Sequence, residues 1–263
     1  MSALEVSRDG EVAWLTMNRP QALNALDTEL KEALLAALGE AADDAGVRAV
    51  ALTGTGRAFC VGQDLRELEG AYRDGTAADD IAGSLEHHYA PIARLLAGMP
   101  KPTVALVNGV AAGAGASLAF ACDLRLASSA ARFLLAFAGI GLVPDASSTW
   151  SLPRLVGLGK ALEIALLGDW VEADEALRIG LVSRVFPAEE FTQQAAEVLA
   201  TLAEGPTRAL ARTKALLRAN LSASLEEALA AEAAAQVEVG RTADHLEGVA
   251  AFVQKRPPKF QGR

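Results

Sequence analysis

Cysteine and histidine are scarce in this 263-residue chain: two of the first, Cys60 and Cys122, and three of the second. They form no CxxC pair and no regularly spaced Cys/His set, which argues against a disulfide framework or a structural zinc site. No metal centre is expected. Aromatic residues make up 5% of the chain while apolar residues make up 51%. A sizeable core is therefore available, packed with small and branched aliphatics. Basic runs are also missing. With 33 acidic and 24 basic residues the net charge is -9, which argues against a nucleic-acid partner but leaves room for one anionic ligand at a local Arg or Lys. The opening MSALEVSRDG has no apolar h-region, so no secretory signal is expected and a cytoplasmic protein is.

One uncharged run is long enough to span a bilayer, Pro102 to Cys122. It is interrupted by Pro102, Asn108, Gly109, Gly113 and Gly115. We read it as a strand, a turn and a buried helix, so no membrane partner is expected.

Val12 to Met17 reads as a strand bounded by Asp9-Gly10 and Asn18-Arg19-Pro20. Asp27 reads as an N-cap, followed by Leu30, Leu34 and Leu38 at helical spacing. Ala49–Thr53, Thr103–Asn108 and Leu124–Ala127 read as further strands. Residues 66–100, rich in acids such as Glu67, Glu69, Asp74, Asp79 and Asp80, read as a solvated, mobile stretch. Helices are expected over Glu189–Ala203, Pro206–Asn220 and the alanine-rich Leu225–Val239. Mixed strands and helices followed by helices alone predict an α/β body, residues 1–200, and a helical C-terminal region, residues 201–263.

Three stretches can carry chemistry: RAFCVGQDL from Arg57, NGVAAGAGAS from Asn108, and GIGLVPDASS from Gly139. In the second, a strand gives way to small residues and an apolar helix. A helix start offers free N–H groups, and small residues let a ligand approach them. Close helix–strand packing explains the same residues equally well. It is neither a dinucleotide fingerprint nor a Walker A loop. Asp145 ends an uncharged apolar run, Phe133 to Pro144. Such surroundings raise a carboxyl pKa toward a useful acid/base range; an N-cap for a helix beginning at Ala146 is the alternative. Ser117 reads as a buried helix serine, not a nucleophile, because its context is not G-x-S-x-G. His87 and His88 read as surface or lid residues, Asp64 and Asp123 as structural hydrogen-bonding groups, and Trp150 as core or as a substrate-pocket wall.

Taken in order, NRPQALNAL, TGTGRAFCVGQDL, KPTVALVNGVAAGAGASLAFACDLRLAS, GLVPDASSTWSLPRLVG, LLGDWVEADEALRIGLVSRVF and KRPPKF resemble the enoyl-CoA hydratase/isomerase (crotonase) superfamily along nearly the whole chain. The resemblance implies a crotonase-like spiral of β-β-α units and a helical C-terminal region that assembles homotrimers or homohexamers. It implies an acyl-CoA thioester substrate, with coenzyme A part of that substrate and no separate cofactor. By motif position, the amides of Gln63 and Ala114 form an oxyanion hole. Ala22, Leu23 and Val61 lie near the CoA adenine end, and Lys259 and Phe260 reach toward a neighbouring subunit's CoA. Phe137 and Trp150 are candidates to shape the acyl pocket.

The departures narrow the chemistry. The two glutamates of a hydratase of this family fall at Ser117 and Phe137, and neither can act as a carboxylate. Asp145 stands where hydratases usually have glycine, a pattern similar to the ring-1,2-epoxyphenylacetyl-CoA isomerase branch around GVAAGAGA, GLVPD and TWSLPR. The resemblance thus implies an acyl-CoA isomerase with Asp145 as its single acid/base, moving a double bond or assisting a ring rearrangement. Three alternatives stand beside it. An aryl-CoA dehalogenase-like hydrolase would use Asp145 as nucleophile, but its histidine would fall at Ala90, with His87 and His88 only nearby. Enoyl-CoA hydration is the second. A non-catalytic member that binds acyl-CoA or RNA is the third: Ser147-Ser148, where relatives often have Gly-Gly, would narrow the pocket.

Overall fold

A computed structural model describes residues 2–67 and 69–263. The chain opens with a hairpin, β1 (Leu4–Asp9) and β2 (Val12–Met17), paired antiparallel from Leu4↔Met17 to Asp9↔Val12. β1 escapes a pattern-based reading because only Leu4 is buried along it: an exposed edge strand shows no hydrophobic alternation. Asp27 caps the next helix, Thr28–Asp43, accepting from the Leu30 amide at 2.9 Å. Leu30, Leu34 and Leu38 are fully buried against the sheet body.

Three successive strand–strand–helix units follow. The first is β3 (Ala49–Gly54), β4 (Ala58–Cys60) and the helical stretch ending in Ala90–Gly98. The second is β5 (Thr103–Val107), β6 (Val110–Ala112) and the helix Ala114–Ala121. The third is β7 (Leu124–Ser128), β8 (Arg132–Leu134) and the helix Ser148–Leu167. β9 (Val171–Glu172) and β10 (Arg184–Phe186) then complete two sheets, ordered β1-β2-β3-β5-β7-β10 and β4-β6-β8-β9. The first strands of the three units run parallel in the larger sheet, the second strands in the smaller one. This is the α/β spiral of β-β-α units expected from the sequence. The run Pro102–Cys122 holds the strand and the buried helix read from the sequence, with a second short strand, β6, between them. Among the described residues no helix is long and apolar enough to cross a membrane.

Residues 66–100 depart from expectation. Apart from Leu68, which lies outside the described residues, this stretch is largely helical: Glu69–Asp74, Ala77–Ser84, a π-helical turn Leu85–Tyr89, and Ala90–Gly98. Its acids face solvent and mask an apolar face on which Tyr89, Ile92, Ala93 and Leu96 are buried. The helix Ser148–Leu167 also went unread, since Pro153 and a non-helical Gly157 break its pattern into two segments. The boundary read at residue 200 falls inside the helix Phe191–Ala203. That helix packs Phe191, Ala195, Leu199 and Ala203 onto Val12, Ala49, Val104 and Leu126 of the larger sheet. Beyond it lie Thr207–Ala219, Leu225–Val239, closed by a Ser224/Glu227 capping box, and Ala243–Gln254.

The helix Ala114–Ala121 is buried at every position, so it must sit directly on β4. Gly115 permits this: a Cβ there would lie 2.3 Å from the Cys60 carbonyl oxygen. Gly115→Ala should destabilise the protein by about 1–3 kcal/mol, the cost of overpacking against backbone. A lowered denaturation midpoint is the expected reading; an unchanged one would show that the helix and β4 can separate freely.

Candidate active site

A cavity of about 170 Å³ lies between the segment after β4, the start of the helix Ala114–Ala121, and the segment after β8. Five of the residues singled out in the sequence line it together: Val61, Gln63, Ala114, Phe137 and Asp145. They come from three different β-β-α units, so the spiral is what assembles them.

The two amides owe their exposure to the local backbone. Leu26 N–H donates to the Gly62 carbonyl at 2.8 Å, and Asp64 N–H donates to the Leu26 carbonyl at 3.1 Å. The intervening Gln63 amide therefore faces away from this bridge. Ala114 is the first residue of its helix, so its N–H has no partner within that helix. Among the described residues neither N–H donates to another protein group. Gly62 holds the two segments in register. Its φ of +91° favours glycine, and a Cβ there would lie 3.0 Å from the Ala114 nitrogen. Close packing and open amides, alternatives at the level of sequence, are both present here.

Asp145 enters the cavity with one carboxyl oxygen, Oδ1, buried and without a hydrogen-bond partner among the described residues. Burial among apolar groups pushes its carboxyl up to about 6. The capping alternative is not what the chain adopts. The following helix begins at Ser148, with Ser147 at the cap and no side-chain cap bond. Ser148 instead donates its N–H at 2.9 Å and its hydroxyl at 2.8 Å to the main-chain carbonyl of Asp145. Ala146 and Ser147 both take left-handed backbone angles, φ 46° and 74°. Neither Ser147 nor Ser148 lines the cavity, so this pair does not narrow it.

The remaining lining is apolar or aromatic: Leu65, Tyr72, Ile81, Leu85, Tyr89, Ala136, Ile140 and Leu142, with glycines at 62 and 113. Asp145 is the one carboxylate among the described lining residues. Tyr72, Ile81, Leu85 and Tyr89 come from the acidic stretch whose helices the sequence hid. The four-residue spacing of Ile81, Leu85 and Tyr89 was the available signal.

Other expected positions lie elsewhere. Ala22 closes the short helical turn Pro20–Ala22 and Leu23 follows in a left-handed conformation. They sit just before the bridge to Gln63 but do not line the cavity. Phe260 lines a different cavity, with Pro206 and Phe252, and Lys259 is exposed beside it. Trp150 is neither core nor wall of the Asp145 cavity. Its ring is partly exposed and carries the guanidinium of Arg154 at 4.4 Å and that of Arg218 at 5.8 Å. Ser117 is fully buried and donates to the Gly113 carbonyl at 3.2 Å. Asp64 pairs with Arg19 at 3.0 Å, and Asp123 pairs with Lys214 and Arg218.

A carboxyl with a raised pKa opposite two open amides can take a proton from carbon while the amides hold the negative charge on a neighbouring oxygen. Comparison with known proteins bears on the chain as a whole. The family described as Enoyl-CoA hydratase/isomerase matches residues 7–263. A protein of Rhodobacter capsulatus named as a probable enoyl-CoA hydratase is 44% identical, covering 96% of this chain and 95% of its own. The 1,2-epoxyphenylacetyl-CoA isomerase of Escherichia coli is 40% identical over the same shares. A crystal structure of an enoyl-CoA hydratase/isomerase candidate from Mycobacterium abscessus superposes with a TM-score of 0.94 at 41% identity, covering 99% of this chain and 100% of the other. Hydratase and isomerase names thus occur at similar identity, and the likeness alone selects neither branch. The chain belongs to the enoyl-CoA hydratase/isomerase (crotonase) family.

Proposed function

We propose that this chain isomerises a CoA thioester, with Asp145 moving a proton between two carbons and the Gln63 and Ala114 amides holding the thioester oxygen. The observation that carries the reading is the buried Asp145 Oδ1, unpartnered among the described residues, in a cavity that Gln63 and Ala114 also line. As carboxylate, Asp145 takes a proton from a carbon next to the double bond. The electron pair moves onto the thioester oxygen, giving an enolate that the two N–H groups stabilise. The same carboxyl then returns the proton at a different carbon, and the double bond has moved. Losing one such N–H donor typically costs about 3 kcal/mol of transition-state stabilisation.

Hydration asks more of a site: one group to activate water and one to protonate carbon. The Ser117 hydroxyl is turned onto backbone, and Phe137 presents an apolar ring to the cavity. Both facts support isomerisation over hydration. The dehalogenase-like reading needs a histidine at the site, and neither His87 nor His88 lines the cavity. The uncharged lining beyond Asp145 supports a neutral, apolar acyl group. Assembly as trimers or hexamers is part of the same proposal. It is supported by an exposed apolar row on the last helix, Leu246, Val249, Phe252 and Val253, and is tested by sedimentation.

Incubating a panel of enoyl-CoA thioesters in deuterated water tests the reaction. Deuterium at carbons α or γ with a shifted double bond is expected; 3-hydroxyacyl products without a shift would make the chain a hydratase. Asp145→Asn should lower kcat by roughly 10²–10⁴-fold, the usual worth of a general acid/base, while CoA-ester binding remains measurable. Full retained turnover would remove Asp145 from the mechanism. As a base, Asp145 must be ionised, so kcat/KM should rise with pH through about 6 and level off above it. A profile flat from about pH 5 to 8 would contradict this. The stability effect has the opposite sign. The native state holds this proton more tightly than the unfolded chain, so stability falls as pH rises toward about 6. Asp145→Asn should therefore melt higher than the native protein above that pH and lose its advantage in acid.

A further inference from the structure

Lys31 stands in a position that lysine ordinarily avoids. It lies in the first turns of the helix Thr28–Asp43, where the helix dipole disfavours a cation, and it is 2% exposed. Its closest carboxylate, Glu67, is 3.7 Å away. A buried cation so weakly paired costs desolvation energy unless hydrogen bonds offset it. Its ammonium spends two of those bonds on Gln63 Oε1 at 3.1 Å and Ser84 Oγ at 2.9 Å.

A second irregularity converges on the same atom. The π-helical turn Leu85–Tyr89 interrupts an otherwise α-helical stretch, and such turns recur at functional sites. It carries Tyr89 into the cavity wall, where the hydroxyl donates to Gln63 Oε1 at 2.8 Å. The other end of the Gln63 side chain donates to Glu67 Oε2 at 3.2 Å. All this apparatus holds one side chain, and that side chain belongs to the residue whose amide opens into the cavity.

We propose that Lys31 and Tyr89 are positioning residues, which lock the Gln63 side chain so that its main-chain N–H stays aimed at the substrate's thioester oxygen. The inference rests on the reading of the Gln63 amide as an oxyanion donor. Neither residue need touch the reacting carbons. A donor displaced by about 1 Å can lose as much as 10²-fold in rate, so fixing it is worth a costly buried cation.

The test uses Tyr89→Phe, Lys31→Met and their combination in the full chain. Tyr89→Phe keeps the ring in the cavity wall and guards against a Lys31→Met that fails to fold. Each single variant should lower kcat about 10-fold with little change in KM, and the double variant should lose little more, because both act through Gln63. The decisive readout is the infrared carbonyl band of bound cinnamoyl-CoA labelled with carbon-13 at the thioester. It should fall in frequency on the native protein and shift back toward the free value on each variant. A full shift and full kcat in Tyr89→Phe, or losses that multiply in the double variant, would overturn the clamp while leaving the proposed reaction intact. No shift on the native protein would overturn the oxyanion reading and the clamp with it.

Discussion

Burying a carboxyl oxygen in a cavity shared with Phe137, Ile140 and Leu142, without a partner among the described residues, costs free energy that the fold has to supply elsewhere. The cost appears directly as a carboxyl raised to about 6. Backbone strain adds to it: Ala146 and Ser147 are held left-handed without being glycine, at about 1–3 kcal/mol each. Both Ser148 bonds to the Asp145 carbonyl act to keep the segment in that shape. A carboxyl kept this way is poor for stability and well suited to exchanging protons near neutrality.

The two sheets explain how such a group meets its partners. Parallel registry of β4, β6 and β8 brings the ends of three successive units to one place. The Gln63 loop, the Ala114 helix start and the Asp145 segment each follow one of those strands. Gly62 and Gly115 let the first two approach within backbone contact distance. The cavity is closed on another side by the helices of residues 69–98, which supply aromatic and aliphatic walls and the hydroxyl that grips Gln63. Core packing and site geometry are therefore one set of contacts.

Much of this was legible in the chain itself. Buried strands such as Ala49–Thr53 and Thr103–Asn108 are short apolar runs with clear ends, and Leu30, Leu34 and Leu38 announce their helix. The helix Leu225–Val239 is legible at its full length from its alanine content, and the structure adds a Ser224/Glu227 capping box at its start. Gln63, Ala114 and Asp145 came from ordered motifs. What stayed hidden was decided by tertiary contacts. β1 is an edge strand, Ser148–Leu167 is broken by Pro153 and Gly157, and the acids of residues 66–80 concealed a helical wall. Trp150, a plausible pocket wall by type, instead stacks under two arginines outside the cavity. Lys31 gave no signal, since nothing local marks one lysine of a helix as buried.

Asp145 began with two readings, cap and acid/base, and its geometry removes the first. Proton transfer, nucleophilic attack and water addition leave different isotopic traces, so a single turnover in oxygen-18 water separates them. Proton transfer by Asp145 predicts an isomerised CoA thioester with no oxygen-18 in the product and none in the Asp145 carboxyl. Label in Asp145 would make it a nucleophile, label in the product would make the reaction a hydration, and either would contradict proton transfer within a bound acyl-CoA.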